Sequence, residues 1–230
     1  MKPQLFVALD VPNISQATKI VSSIWPLPCG FKVGLELMTH PEGPSFAARL
    51  ATQGHPLFID MKLGDIPTTV ERAVANIAKL GATYATIQGK DMPMMQAAMR
   101  GCSGTKLKLL ATTVLSSDNP ESIRQQSHNV SAKTLTERRA YMARRCNMHG
   151  IIVSGENLNH IRELHGNRLL YATPGIRRPE DQTDDQHHVL TPEDAIRQGS
   201  DIVIVGRPIT GASNPGMEAE KFLIRSGLIS

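Results

Sequence analysis

At 230 residues the chain is long enough to bury a substantial core, as one large domain or two small ones. A formal charge of only +4 and an aromatic content of 4% argue against a nucleic-acid surface, which would need a basic stripe or base-stacking rings. The densest basic cluster, Arg138-Arg139 with Arg144-Arg145, reads as the solvated face of a helix.

In chain order, short apolar runs alternate with helix-like segments. The first, Leu5-Phe6-Val7-Ala8-Leu9, meets Asp10 at once and is too short for a signal peptide. Phe31-Lys32-Val33 and Leu57-Phe58-Ile59 follow. After the third run, Pro67 suits a first helical turn, and Val70, Ala73, Val74, Ile77 and Ala78 form an apolar stripe. Such a helix packs on a parallel sheet. Tyr84-Ala85-Thr86-Ile87, Leu107-Lys108-Leu109-Leu110-Ala111, Ile151-Ile152-Val153, Leu169-Leu170-Tyr171 and Ile202-Val203-Ile204-Val205 complete the series. Gly54, Gly81 and Gly199 stand where preceding helices should end. About eight strand–helix units at roughly 25- to 35-residue spacing predict a single (β/α)8 TIM barrel over residues 1–230, with an open doubly wound sheet as the alternative. The polar stretches 116–131 and 177–188 read as long loops over the catalytic face.

No stretch approaches a membrane span. Cys29, Cys102 and Cys146 are scattered and odd in number, which fits reduced thiols in the cytoplasm. The histidines show no metal-binding spacing, and His187-His188 sits in a polar loop, so no metal is expected. A cytoplasmic protein without membrane or nucleic-acid partners is the expectation.

The densest chemical signal is Asp60-Met61-Lys62-Leu63-Gly64-Asp65-Ile66-Pro67-Thr68-Thr69. If the run before it is a buried strand, Asp60 and Lys62 emerge on one face. Charges at a strand's mouth need pairing, water or a ligand. In a barrel they converge with Asp10, Lys32, Gln88, Thr112 to Ser116, Ser154, Thr173-Pro174 and Gly206-Arg207, each at or near the C-terminal end of a strand. The last strand, followed by Gly206-Arg207-Pro208-Ile209-Thr210, offers backbone N–H groups and an arginine fork suited to phosphate.

These residues resemble the orotidine 5'-monophosphate decarboxylase family along almost the whole chain. Lys32-Val33-Gly34-Leu35-Glu36, the D-x-K-x-x-D-I-P-x-T motif at 60–69, Thr173-Pro174-Gly175-Ile176-Arg177 and Val205-Gly206-Arg207-Pro208-Ile209-Thr210 carry the resemblance. It implies a homodimeric barrel with no cofactor that converts orotidine 5'-monophosphate to UMP in pyrimidine biosynthesis. Lys32, Asp60, Lys62 and Asp65 would form a catalytic charge network, with Lys62 protonating C6. Asp65, Ile66 and Thr69 would reach the neighbouring subunit's site. Asp10 and Lys32 would hold ribose hydroxyls and Ser116 the pyrimidine. Pro174, Arg177, Gln186, Gly206 and Arg207 would line the base-to-phosphate side, and residues 175–186 would close over phosphate.

Two positions depart from the family's commonest pattern. Gln88-Gly89 stands where many members carry histidine and alanine, and His188 where arginine is usual. Two alternatives stay open. A magnesium-dependent sugar-phosphate lyase, such as hexulose-6-phosphate synthase, shares D-x-K-x-x-D but typically has an acidic metal ligand at position 32. A silent nucleotide-binding barrel would need only the phosphate block.

Overall fold

The computed structural model describes residues 3–114, 120–125, 129–181 and 190–229. Eight parallel strands pair in chain order, and β8 returns to β1. They are β1 Gln4–Ala8, β2 Cys29–Gly34, β3 Leu57–Leu63, β4 Tyr84–Gln88, β5 Lys108–Thr112, β6 Gly150–Ile152, β7 Leu170–Thr173 and β8 Ile202–Val205. The pairing of Gln4 with Ile202 through Val7 with Val205 closes the sheet, so the open doubly wound alternative is excluded.

The helices are α1 Ile14–Ile24, α2 Leu35–Thr39, α3 Gly43–Thr52, α4 Pro67–Lys79, α5 Met92–Gly101, α6 Pro120–Gln125, α7 Ala132–Arg145, α8 Gly155–His165, α9 Pro192–Arg197, α10 Arg207–Thr210 and α11 Pro215–Arg225. Their starts follow from local chemistry. Asn13, Asp91 and Asn214 accept hydrogen bonds from otherwise orphaned N–H groups of α1, α5 and α11. Pro67 opens α4, which buries Val70, Val74 and Ile77 on the predicted stripe. Gly81 and Gly199 lie beyond α4 and α9 at φ 82° and 92°, in the left-handed region that side-chain-bearing residues avoid.

Stretch 116–131, read as a loop, contains α6. Ile123 explains it: fully buried, it packs with Val114 and Leu135 in a small apolar cluster, while Glu121 and Arg124 pair on the outer face at 2.7 Å. The arginine cluster on α7 is only partly a solvated face. Arg138 is exposed, but Arg139 turns inward and donates to the Thr113 carbonyl at the end of β5.

Two cores hold the barrel. A large cluster fills the space between sheet and helices. Inside the barrel, Phe6, Phe58, Tyr84, Leu110, Ala172, Ile202 and Ile204 form a second. Phe6 meets Phe58 edge-on at 5.7 Å and 89°, a favoured arrangement for ring quadrupoles. Gly30 makes room for it: a Cβ there would lie 2.3 Å from the Phe6 ring. The three cysteines are buried and unpaired, and burial pushes the Cys29 thiol up to about 12. Among the described residues no helix is long and apolar enough to cross a membrane.

Candidate active site

The period-two alternation that fills the barrel floor also builds its mouth. On β3, Phe58 belongs to the interior core, and two residues on, Asp60 enters the cleft. On β2, Gly30 lies against Phe6, and two residues on, Lys32 meets the carboxylates. On β4, Tyr84 is in the interior core, and Thr86 bonds Asp60. Apolar side chains thus seal the lower layer and force the charges above them to satisfy one another.

They do so as an alternating chain. Lys32 Nζ lies 3.1 Å from Asp10 Oδ1 and 3.2 Å from Asp60 Oδ2. Asp60 Oδ1 lies 3.0 Å from Lys62 Nζ. The inner pair is shielded, with side-chain exposures of 8% for Lys32 and 14% for Asp60, while Lys62 remains 40% exposed. Burial alone would lower the Lys32 pKa, but Asp60 and Asp10 outweigh it and hold the ammonium above its ordinary value. Burial would likewise raise Asp60, yet Lys32, Lys62 and the Thr86 hydrogen bond keep its carboxyl below the usual range. Both groups are charged at neutral pH, and the accessible ammonium at the end is Lys62.

Asp60 and Lys62 meet as predicted, but not through plain strand alternation. The β3–β4 register slips between Ile59 and Leu63, and Lys62 adopts φ 47°. A left-handed non-glycine residue costs on the order of 1–3 kcal/mol and persists only where surroundings fix it. Here the Lys62 N–H donates to Thr86 Oγ1 at 2.9 Å, and that hydroxyl donates to Asp60 Oδ1 at 2.8 Å.

The cleft, of about 430 Å³, is completed by residues following β7 and β8: Pro174, Gly175, Arg177, Gly206, Arg207 and Thr210. Arg177 is only 5% exposed and donates to the Ile176 carbonyl at 3.0 Å. Its N–H bonds the Leu190 carbonyl at 2.9 Å, beside a short parallel bridge between Ile176 and Leu190. That bridge ties the segment after β7 to the residue two before α9. Gly206 is not demanded by packing, since its nearest neighbour to a Cβ would be Ala8 at 3.7 Å.

Cleft and charge network therefore bring together Asp10, Lys32, Asp60, Lys62, Pro174, Arg177, Gly206 and Arg207. Asp65, Ile66 and Thr69 stand outside, exposed on the rim where β3 passes into α4. The Asp65 carboxylate accepts from the Ile66 N–H at 2.6 Å. Ser116, Gln186, His187 and His188 lie outside the described residues. The Gln88-Gly89 departure has a local basis. A Cβ at Gly89 would lie 2.4 Å from the Thr112 carbonyl oxygen, and the Gln88 amide packs over Gly64.

Sequence reasoning missed Thr86, although its spacing from Tyr84 placed both on one face of β4. Thr210 and Leu35, which line the cleft, and Gly34, where a Cβ would fall 2.6 Å from Asp10 Oδ1, stand within the quoted motifs but carried no individual role there. Among the described residues, no cluster of three or more His, Cys, Asp or Glu side chains forms a metal-binding group.

A model of the orotidine 5'-phosphate decarboxylase / HUMPS family matches residues 3–222. The orotidine 5'-phosphate decarboxylase of Bradyrhizobium sp. strain BTAi1 is 39% identical over 222 residues, covering 96% of this chain and 90% of the relative. The Methylorubrum extorquens protein of the same name is 38% identical, covering 96% and 94%. The crystal structure of orotidine 5'-phosphate decarboxylase from Lactobacillus acidophilus superposes with a TM-score of 0.86 at 33% identity, covering 98% of this chain and 99% of that one. Fold, cleft and full-length similarity agree: the chain belongs to the orotidine 5'-phosphate decarboxylase / HUMPS family.

Proposed function

We propose that this protein decarboxylates orotidine 5'-monophosphate to UMP in pyrimidine biosynthesis, with no metal or organic cofactor. The observation that carries the reading is the alternating chain Asp10–Lys32–Asp60–Lys62, which ends in an accessible ammonium within the cleft. A cleft of about 430 Å³ suits a mononucleotide.

In this reading Arg207, Arg177 and backbone N–H groups around Gly206 take the phosphate. Asp10 and Lys32 hold the ribose hydroxyls, and the orotate ring lies with C6 toward Lys62. The bond from C6 to the carboxylate carbon breaks, CO2 leaves, and the electron pair stays on C6. Lys62 stabilises that charge, gives C6 a proton, and as the free amine recovers one from water. An ammonium about 4 Å from the developing charge is worth roughly 4 kcal/mol at an effective dielectric near 20. Asp60 adds repulsion against the substrate carboxylate that is relieved as CO2 departs. Phosphate binding remote from the reacting carbon supplies energy for positioning.

Asp65, Ile66 and Thr69 do not line this chain's own cleft, and Ile66 is 66% exposed. We assign them to the cleft of a second copy in a homodimer, where Asp65 completes the network. Ser116 and Gln186 are assigned to the pyrimidine and the phosphate on the resemblance alone, since neither is among the described residues.

A magnesium-dependent lyase fits the donor set poorly. The Lys32 ammonium stands between Asp10 and Asp60 at 3.1 and 3.2 Å, where a divalent cation would need both carboxylates. The deciding experiment mixes the protein with orotidine 5'-monophosphate in EDTA, follows the ultraviolet change and identifies UMP by chromatography. UMP formation unaffected by EDTA is expected. Turnover of a sugar phosphate only with Mg2+ would overturn the assignment.

A further inference from the structure

The β3–β4 irregularity leaves Asp60, Met61 and Lys62 facing only Thr86, because pairing jumps from Ile59–Ala85 to Leu63–Ile87. An irregularity of this kind orphans backbone groups and re-aims side chains. Thr86, 1% exposed, replaces the missing ladder partner with its side chain. Its hydroxyl accepts from the Lys62 N–H at 2.9 Å and donates to Asp60 Oδ1 at 2.8 Å. The same Asp60 oxygen takes the Lys62 ammonium at 3.0 Å. The result is a closed ring: Lys62 is held at its backbone and at its side-chain tip, with one threonine hydroxyl joining the two through Asp60.

We propose that Thr86 is the positioning residue of the catalytic centre: its hydroxyl holds Lys62 in its left-handed backbone and fixes the Asp60 carboxylate that aims the Lys62 ammonium. Thr86 meets the reacting atoms only through these two residues. Tyr84, two residues earlier on the same face, anchors the strand in the barrel floor and bonds Gln4 at 2.9 Å, so the hydroxyl sits on a rigid element. Asp60 is faced by Lys32 from β2, Lys62 from its own strand and Thr86 from β4, with Asp10 acting through Lys32. Removing the hydroxyl deletes one donor to the ionised carboxylate while both lysines stay in place. The Asp60 titration should therefore move up in pH, taking the acid limb of kcat with it.

Thr86→Val is close in shape and deletes only the hydrogen bonds. Its kcat should fall roughly 10- to 100-fold with KM little changed, the loss of one charge-assisted hydrogen-bond junction. Thr86→Ser should restore most of the rate and the original acid limb. A purely structural role would lower stability and leave kcat and its pH profile in place. Thr86→Ala gives the same comparison if the valine variant does not fold.

The kinetic arm rests on the reaction proposed above. A second readout does not: titration of the Asp60 carboxyl by 13C NMR, assigned with Asp60→Asn, in wild type and both Thr86 variants. An upward shift in Thr86→Val that Thr86→Ser reverses is expected. A folded Thr86→Val with wild-type kcat and an unmoved Asp60 titration would overturn the proposal. If the wild type itself makes no UMP, the reaction assignment fails, and the Asp60 titration alone decides for or against positioning.

Discussion

Asp60 carries the strongest electrostatic constraint in the site, because three cationic or donor groups converge on a carboxylate taken largely out of water. Its folded pKa is depressed, so its contribution to stability is present above the ordinary value of 3.8 and is lost as pH falls through the lower folded value. Lys32 is raised, so its contribution is present below the ordinary 10.5 and is lost as pH rises through the higher folded value. The pair therefore stabilises across the whole neutral range. Lys32→Met should cost about 2 kcal/mol at neutral pH, because it removes the more shielded of the two ammonium partners of Asp60 and leaves only Lys62 and Thr86. In urea unfolding measured against pH, that deficit should shrink below about pH 4 as Asp60 protonates. Equal destabilisation at pH 3 and pH 7 would contradict the account. Lys62 differs in being accessible and aimed at the cleft. Lys62→Ala should lower kcat at least ~10³-fold, while UMP binding by calorimetry changes far less.

At the scale of elements, backbone approach sets what the sequence tolerates. Helices α4 and α5 pack against each other, and Gly101 ends α5 where a Cβ would fall 2.3 Å from the Glu71 carbonyl oxygen. Helix propensity alone would favour Gly101→Ala by about 1 kcal/mol. The clash is with backbone and cannot be relieved by a rotamer change, so overpacking of about 1–3 kcal/mol should win. Thermal unfolding of Gly101→Ala should show a lower midpoint than wild type. The wide irregularity in β3 is the functional counterpart of this logic. A regular strand would give the Lys62 N–H a backbone carbonyl as partner, and the irregular one gives that role to the Thr86 hydroxyl.

For the whole molecule, barrel closure gathers one wall of the cleft from β1, β2 and β3 and the other from the segments after β7 and β8. Neither wall is contiguous in sequence, and only β8 pairing with β1 sets them face to face. Asp65, Ile66 and Thr69 remain on the rim, and their assignment to a partner's cleft makes a sharp prediction. Asp65→Ala and Lys62→Ala should each be inactive alone. Mixed and allowed to exchange subunits, they should regain about a quarter of wild-type activity, because half the dimers are mixed and each has one intact site. No recovery despite proven exchange would place Asp65 in its own subunit's chemistry.

The sequence by itself determined the strand–helix repeat, the apolar stripe of α4 and the charged mouth. Period-two and period-3.6 patterns are local, and an apolar run ending in Asp or Lys marks a buried strand reaching a polar opening. Strand ends singled out Asp10, Lys32, Asp60, Lys62, Pro174, Gly206 and Arg207, and the family resemblance added Arg177; all eight line one cleft. Tertiary structure decided what local patterns do not encode. A closed barrel was separated from an open sheet only by β1 pairing with β8, residues nearly two hundred positions apart. Helix α6 formed in a polar stretch because Ile123 packs with Val114 at the end of β5 and Leu135 on α7, contacts that no single element's pattern encodes. Thr86 was legible as an inward side chain, yet its role depended on a register slip between two strands. A slip of that kind is a property of the pairing, and neither strand carries it in its own sequence.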